Sequence, residues 1–234
     1  MTSNDTTDLG TVLVTGGASG LGAAAVTAIA RAGGTPLVLD LARPATDVPF
    51  LQVDLADSVA TEVAVEQIVS ENGGTLNGVF TAAGIDSCGP LDGVSRKDWE
   101  RVVFVNLLGT AAVVRAALPY LKQSHGRIVT VASTLGIKAV GDATAYCASK
   151  FGVVGFTRAL AAETAGELGV TLLIPGGMHS AFFDARTEQY KPPVDAKLNQ
   201  PEDVAQTVVF ALSQPSGCEV RELVVAASTE SSWP

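Results

Sequence analysis

Tyr146 and Lys150 stand four residues apart in the run Tyr-Cys-Ala-Ser-Lys, at the head of an alanine-rich stretch, so on a helix both side chains project from one face. A free phenol titrates near ~10 and is a poor base at neutral pH. An ammonium about 4 Å away contributes roughly 4 kcal/mol at an effective dielectric of about 20, enough to lower such a phenol by about three in pKa. A tyrosine in that state exchanges a proton with an alcohol at pH 7. The same spacing also serves plain surface packing, so the neighbours decide. Ser133 lies 13 residues before Tyr146, at the end of an apolar run. It is either a strand-end cap or a hydroxyl donor to a carbonyl oxygen that gains charge. Asn106 interrupts an apolar helical face, where its amide needs a partner: a neighbouring carbonyl, or a water that leads protons outward.

A second group lies near the start of the chain. Thr15-Gly16-Gly17-Ala18-Ser19-Gly20-Leu21-Gly22 follows an apolar stretch and precedes an alanine-rich one. A strand turning through spaced glycines into a helix aims backbone N–H groups and a positive dipole end at one spot, which suits a pyrophosphate. Gly16 permits the turn, Gly20 lets phosphates approach, and Gly22 lets the helix pack on the strand. Asp40 ends the next apolar run, 18 residues beyond Gly22, where a carboxylate accepts both hydroxyls of an adenosine ribose and repels a 2'-phosphate.

These residues need a frame. Apolar runs at residues 11–14, 36–39, 50–53, 78–80, 127–131, 171–174 and 219–225 read as strands, and 23–32, 58–70, 97–121, 145–167 and 201–212 as helices. The alternation predicts an α/β fold with a parallel sheet of about seven strands and helices on both faces. Residues 1–9 are expected to form a flexible tail, and residues 10–234 a single domain. The aperiodic stretch at about 178–200 carries Phe182, Phe183 and Tyr190 and reads as a substrate lid rather than a plain surface loop. His179 offers that pocket a polar contact or is a turn residue, and His125 belongs to a turn.

With 47% apolar and 17% charged residues the chain can bury a full core, and its net charge of −9 argues against nucleic acid or an anionic membrane as partner. Three cysteines and a polar start point to a reducing, cytoplasmic setting with no disulfide framework. No uninterrupted apolar run approaches membrane-spanning length, and no His/Cys spacing suggests a metal.

Taken together, Thr15-Gly16-x-x-x-Gly20-x-Gly22, Ala82-Ala83-Gly84, Asn106, Ser133, Tyr146-x-x-x-Lys150 and Pro175-Gly176 resemble the short-chain dehydrogenase/reductase family from about Gly10 onward. The resemblance implies a Rossmann-like three-layer sandwich and oxidoreductase chemistry on a secondary alcohol or ketone, a small-molecule substrate. It implies Tyr146 as general acid/base, Lys150 as the group that lowers its pKa and holds the nicotinamide ribose, Ser133 as orienter of the substrate oxygen, and Asn106 as the residue that positions a relay water. It places Ser19 and Leu21 in the phosphate loop, Asp54 and Leu55 at the adenine, and Met178 and Ser180 at the carboxamide. Asp40 selects NAD over NADP in this reading, with Arg43 as the reservation because it can swing toward a 2'-phosphate. Thr81 stands where the family has an asparagine, and its hydroxyl is expected to donate one hydrogen bond. The family's Asn before the Pro-Gly turn is also missing here. Members commonly form tetramers or dimers through the two long helices, where Gly109, Ala111, Ala112, Ala116, Ala159, Ala161 and Ala162 allow close packing. The rivals are a dinucleotide-binding pseudoenzyme or regulatory protein, and an epimerase or dehydratase on the same fold.

Overall fold

The run Val12-Leu13-Val14 has no solvent exposure at all, which is what a central strand covered on both faces requires. In the computed structural model, which describes residues 9–233, that run is the middle of β1 (Thr11–Thr15). β2 (Thr35–Asp40), β3 (Phe50–Gln52), β4 (Gly78–Thr81), β5 (Arg127–Val131), β6 (Gly169–Pro175) and β7 (Glu222–Val225) complete one sheet in the order β3-β2-β1-β4-β5-β6-β7. Every pairing is parallel. The strand order therefore reverses between β1 and β4, and parallel strands open a crevice at such a switch point, beyond their carboxyl ends.

Helices α1 (Gly20–Arg31) and α6 (Pro201–Leu212) cover one face, burying Val26, Ile29, Val204 and Val208 against Val14, Phe80 and Val129. On the other face α2 (Ser58–Glu71) and α4 (Thr110–Ser124) bury Val65, Ile68, Val113 and Leu121 against Leu13, Leu37, Val79 and Ile128, while α5 (Thr144–Glu163) packs Val153 and Val154 against Leu172 and Ile174. The result is a Rossmann-like three-layer arrangement. The expected tail at residues 1–8 lies outside the described residues. Leu9, assigned to that tail from sequence, is instead buried in the core beside Ile29.

The helix expected over 97–121 is three segments: α3 (Arg96–Val103), a π-helical stretch (Phe104–Gly109) and α4. By length and mean hydropathy, 1.8, Arg96–Ser124 would pass for a membrane span, yet half of the apolar window is buried inside the fold. The π stretch has a local cause. Asn106 turns inward and bonds both backbone groups of Ile85, and Thr110 Oγ1 donates to the Asn106 carbonyl (2.9 Å) within the loosened turn. α5 stops at Glu163, short of the expected 167, before Gly166 takes a left-handed φ of 82°.

Candidate active site

The crevice is a cleft of about 600 Å³ at the carboxyl ends of β1, β4, β5 and β6. Its phosphate end is built by the glycines after β1. Gly16 adopts φ 72°, and a Cβ there would lie 2.8 Å from the Ala83 backbone. A Cβ on Gly22 would lie 2.0 Å from the Gly16 carbonyl oxygen, so the first turn of α1 can sit on the strand-end turn only without one. Ser19 precedes α1 but its side chain caps no amide, and the first turn carries no acidic residue. The leading N–H groups of a 12-residue helix thus open on the cleft with no side-chain acceptor of their own, a built anion cradle.

Asp40 lies at the rim of this cradle, accepting from Ala18 N at 2.9 Å and Ala42 N at 3.0 Å, one on each carboxylate oxygen. These bonds fix its carboxylate and leave further acceptor capacity. Arg43 points elsewhere: its guanidinium stacks on the Phe50 ring at 5.5 Å and is not in the cleft wall. Asp54 and Leu55 line the cleft beyond, with Leu41 and Val105 as apolar walls. Sequence reasoning missed Arg101, which grips both oxygens of Asp54 at 3.0 and 3.2 Å. Burial raises the Asp54 pKa, but the Ala56 N–H and the Arg101 guanidinium outweigh it and the carboxyl is held below its ordinary range. The observed walls thus fit a dinucleotide: an uncapped helix N-terminus for phosphates, a carboxylate for a ribose diol and an apolar slot for a base.

At the other end stand Ser133, Tyr146 and Lys150. Ser133 caps the short 3-10 helix Thr134–Gly136 by accepting from Leu135 N (3.1 Å), and it lines the cleft together with Tyr146, whose pKa its hydroxyl lowers. The strand-end cap expected of Ser133 is present, and the same residue lines the cleft. Lys150 Nζ donates to the Val131 carbonyl (2.9 Å) and lies 5.6 Å from the centroid of the Tyr146 ring. The electrostatics correct the sequence argument. Burial pushes the Tyr146 phenol above its ordinary value, and the Ser133 hydroxyl only partly opposes this. Burial also pulls the Lys150 ammonium down to about 8, with Asp86 opposing. A phenol and an ammonium that share a dry pocket are both pressed toward neutrality, and the lysine proton is directed at a carbonyl rather than at the phenol oxygen.

Asn106 lies behind the cleft wall. Its Oδ1 accepts from Ile85 N (2.8 Å), while Nδ2 donates to Ile85 O (2.9 Å) and to Ser149 Oγ (3.0 Å). Ser149 Oγ in turn donates to the Tyr146 carbonyl (2.8 Å). Both amide donors are engaged, so the side chain ties the Ala82-Ala83-Gly84-Ile85 wall to the helix that carries Tyr146 rather than offering a proton to a relay water. Thr81 departs from expectation: its Oγ1 is buried with no hydrogen-bond partner, because β4 points it into an apolar sheet interior.

The stretch after β6 covers this end. Pro175, Gly176, Met178 and Ser180 line the cleft, and Phe182 packs on Tyr146 with ring centroids 5.7 Å apart and on Phe183 at 5.5 Å. Arg186 lies over both phenylalanine rings, at 5.4 and 4.6 Å, and pairs with the buried Asp86. This latch, linking residues 100 apart, was not foreseen; the lone arginine after the Phe-Phe pair was its only signal. His179 is corrected. It is absent from the cleft wall and lines a separate cavity between α1 and the start of α6, with Arg31 and Pro201. Glu230 and Ser232, from the stretch after β7, complete the wall and were also missed.

A family model described as short chain dehydrogenase matches residues 10–191. Among curated proteins, the chain is 30% identical over 224 residues to a 3-oxoacyl-[acyl-carrier-protein] reductase of Thermotoga maritima, covering 87% of this chain and 90% of that one. It is 30% identical over 221 residues to a D-threitol dehydrogenase of Mycolicibacterium smegmatis, covering 86% and 85%. Among solved structures, a ligand-free aldohexose dehydrogenase of Thermoplasma acidophilum superposes with a TM-score of 0.84 at 24% identity, covering 94% of each chain. An alcohol dehydrogenase of Thermococcus sibiricus, complexed with 5-hydroxy-NADP, gives 0.82 at 20% identity, covering 93% of this chain and 96% of that one.

Proposed function

The chain belongs to the short chain dehydrogenase family, oxidoreductases that bind a nicotinamide dinucleotide, and on that premise we propose that it interconverts a secondary alcohol and a ketone with NAD. The observation that carries the reading is the convergence of Ser133, Tyr146 and Lys150 at one end of a cleft whose other end is the uncapped N-terminus of α1. Gly16, Gly20, Leu21 and Gly22 seat the phosphates, Asp40 takes the adenosine ribose, Asp54 and Leu55 meet the adenine, and Met178 and Ser180 hold the carboxamide.

When bound, the nicotinamide supplies a hydride acceptor or donor at C4 and, oxidised, a positive charge. In the oxidation direction Tyr146 would act as the phenolate, which the positive charge of a bound oxidised cofactor would favour, and take the hydroxyl proton; in reduction the phenol gives that proton up. Ser133 Oγ donates to the substrate oxygen and fixes its distance from Tyr146. Lys150 holds positive charge on the side of the phenol away from the substrate. Phe182 and Phe183 exclude water and leave room for an apolar group on the carbinol carbon. Asn106 acts as a positioning residue through Ile85 and Ser149.

NAD is favoured over NADP because the Asp40 carboxylate is fixed at the ribose position while Arg43 is engaged with Phe50. Dimers or tetramers through the helices of residues 96–124 and α5 belong to the same reading, supported by Phe104, Leu108 and Phe151, which are more than 40% exposed there. A panel of secondary alcohols and ketones assayed with both cofactors tests it. Turnover with NADH formed in equal amount to ketone is expected, and binding without turnover, or a clear NADP preference, overturns it.

A further inference from the structure

The stretch after β7 turns back over the cleft and delivers Glu230 to the end where Tyr146 stands. Glu230 Oε2 accepts from Gly177 N (2.9 Å), and Oε1 accepts from Ser232 N (3.2 Å) and Ser232 Oγ (2.7 Å). Ser232 Oγ in turn meets Thr134 Oγ1 at 2.6 Å, in the residue next to Ser133. The side chain therefore bridges the Pro175-Gly176-Gly177 turn and the Ser133 loop, and both Glu230 and Ser232 line the cleft. A Cβ on Gly176 would lie 2.7 Å from Glu230 Oε2, so that glycine admits the carboxylate to the turn.

All three groups bonded to Glu230 are donors, a set that favours the ionised carboxylate. The backbone N–H of Gly177 and the donors of Ser232 outweigh burial and hold its carboxyl below the ordinary range. No arginine or lysine pairs with it among the described residues. Lys138 donates to the carbonyl of the neighbouring Ser231 (3.0 Å). A carboxylate held by three hydrogen bonds, with no ion-pair partner among the described residues, thus lies in the cleft wall.

We propose that Glu230 is a cofactor-discriminating residue: its carboxylate favours the cationic, oxidised nicotinamide over the neutral, reduced one and so biases the bound couple toward alcohol oxidation. This rests on the reading that the nicotinamide occupies the end of the cleft beside Tyr146 and Gly177. A charge acting through space distinguishes the two redox forms, which have the same shape, whereas a strap that merely holds the turn does not.

The test is calorimetric titration of the substrate-free protein with NAD and, separately, with NADH, for wild type, Glu230→Gln and Ser232→Ala. Glu230→Gln is expected to weaken NAD about five- to tenfold while NADH changes less than twofold; tenfold in the ratio equals about 30 mV in the potential of the bound couple. Ser232→Ala keeps the charge and removes one donor, and is expected to leave the NAD/NADH ratio within twofold of wild type. Equal weakening of both forms by Glu230→Gln, or the same ratio change in both variants, overturns the proposal in favour of a strap. If wild type binds neither dinucleotide, the functional reading fails and takes this inference with it.

Discussion

Replacing Lys150 by methionine measures how dry the candidate site is. Burial holds the Lys150 ammonium at about 8 against an ordinary 10.5. At 1.36 kcal/mol per tenfold in the acid constant, carrying that charge at low pH costs the fold about 3 kcal/mol relative to an exposed lysine. The unfolded chain keeps the lysine proton up to about pH 10.5, whereas the folded chain releases it near 8. Between those values the unfolded state binds more protons, so this group makes stability rise with pH. Wild type should therefore gain about 2 kcal/mol on Lys150→Met between pH 7 and 9.5. Methionine also deprives the Val131 carbonyl of a donor at 2.9 Å, an offset of about 1–3 kcal/mol that does not vary with pH. The slope of the difference, not its intercept, is thus diagnostic. Urea unfolding of both proteins at one fixed concentration across that range supplies it, and groups common to both cancel. A difference flat to within about 0.5 kcal/mol would mean that the ammonium stays hydrated in the folded state, and the account of Tyr146 as a buried, proton-holding phenol would fall with it.

Tyr146→Phe should lower kcat about 10³-fold or more while NAD still binds; retained turnover removes Tyr146 as the acid/base. Asp40→Ala should raise the NADP-to-NAD ratio of kcat/KM by about 10- to 100-fold, the worth of relieving like-charge contact at about 5 Å in a partly hydrated site, and an unchanged ratio refutes its role. Thr81→Val removes a buried hydroxyl that has no partner and should leave urea stability unchanged or raise it by up to about 1 kcal/mol; a loss above about 1 kcal/mol would reveal a hidden partner. His179→Ala should leave the KM values for cofactor and substrate within twofold, since His179 lines the other cavity.

What could be read from the chain was whatever has a local period. The strands are short apolar runs because a parallel sheet is covered on both faces, and six of the seven lie within two residues of their expected bounds. The strand expected over 219–225 starts at Glu222, on an edge where burial marks the pattern less strongly. Tyr146 and Lys150 share a face because helical spacing demands it. Gly16 and Gly22 were legible because a close backbone approach excludes a side chain at each, and Gly20 because its φ of 51° lies in the left-handed region that favours glycine. What escaped has no local signature: Asp54 meets Arg101 47 residues on, Gly177 meets Glu230 53 residues on, and Asn106 meets a loop 21 residues back. Each pairing depends on where the sheet order brings two loops together.

The same distinction explains the misjudged phenol. Spacing sets the separation of two charges, but the dielectric between them comes from Val131, Ala132 and Leu135 at the end of β5 and from Phe182 in the stretch after β6. Without that wall, Coulomb attraction between phenolate and ammonium looks decisive. With it, the penalty for either charge is larger, so the phenol keeps its proton and the ammonium gives up its own more readily than an exposed lysine. A site of this kind acquires its working charge distribution from what enters it, so the walls that dry the pocket govern proton transfer as much as the residues that carry the proton. Part of the cleft wall, Phe182 and Phe183 with Glu230 and Ser232, comes from the aperiodic stretches after β6 and β7, which is why the reaction class is legible in this chain and the shape of its substrate is not.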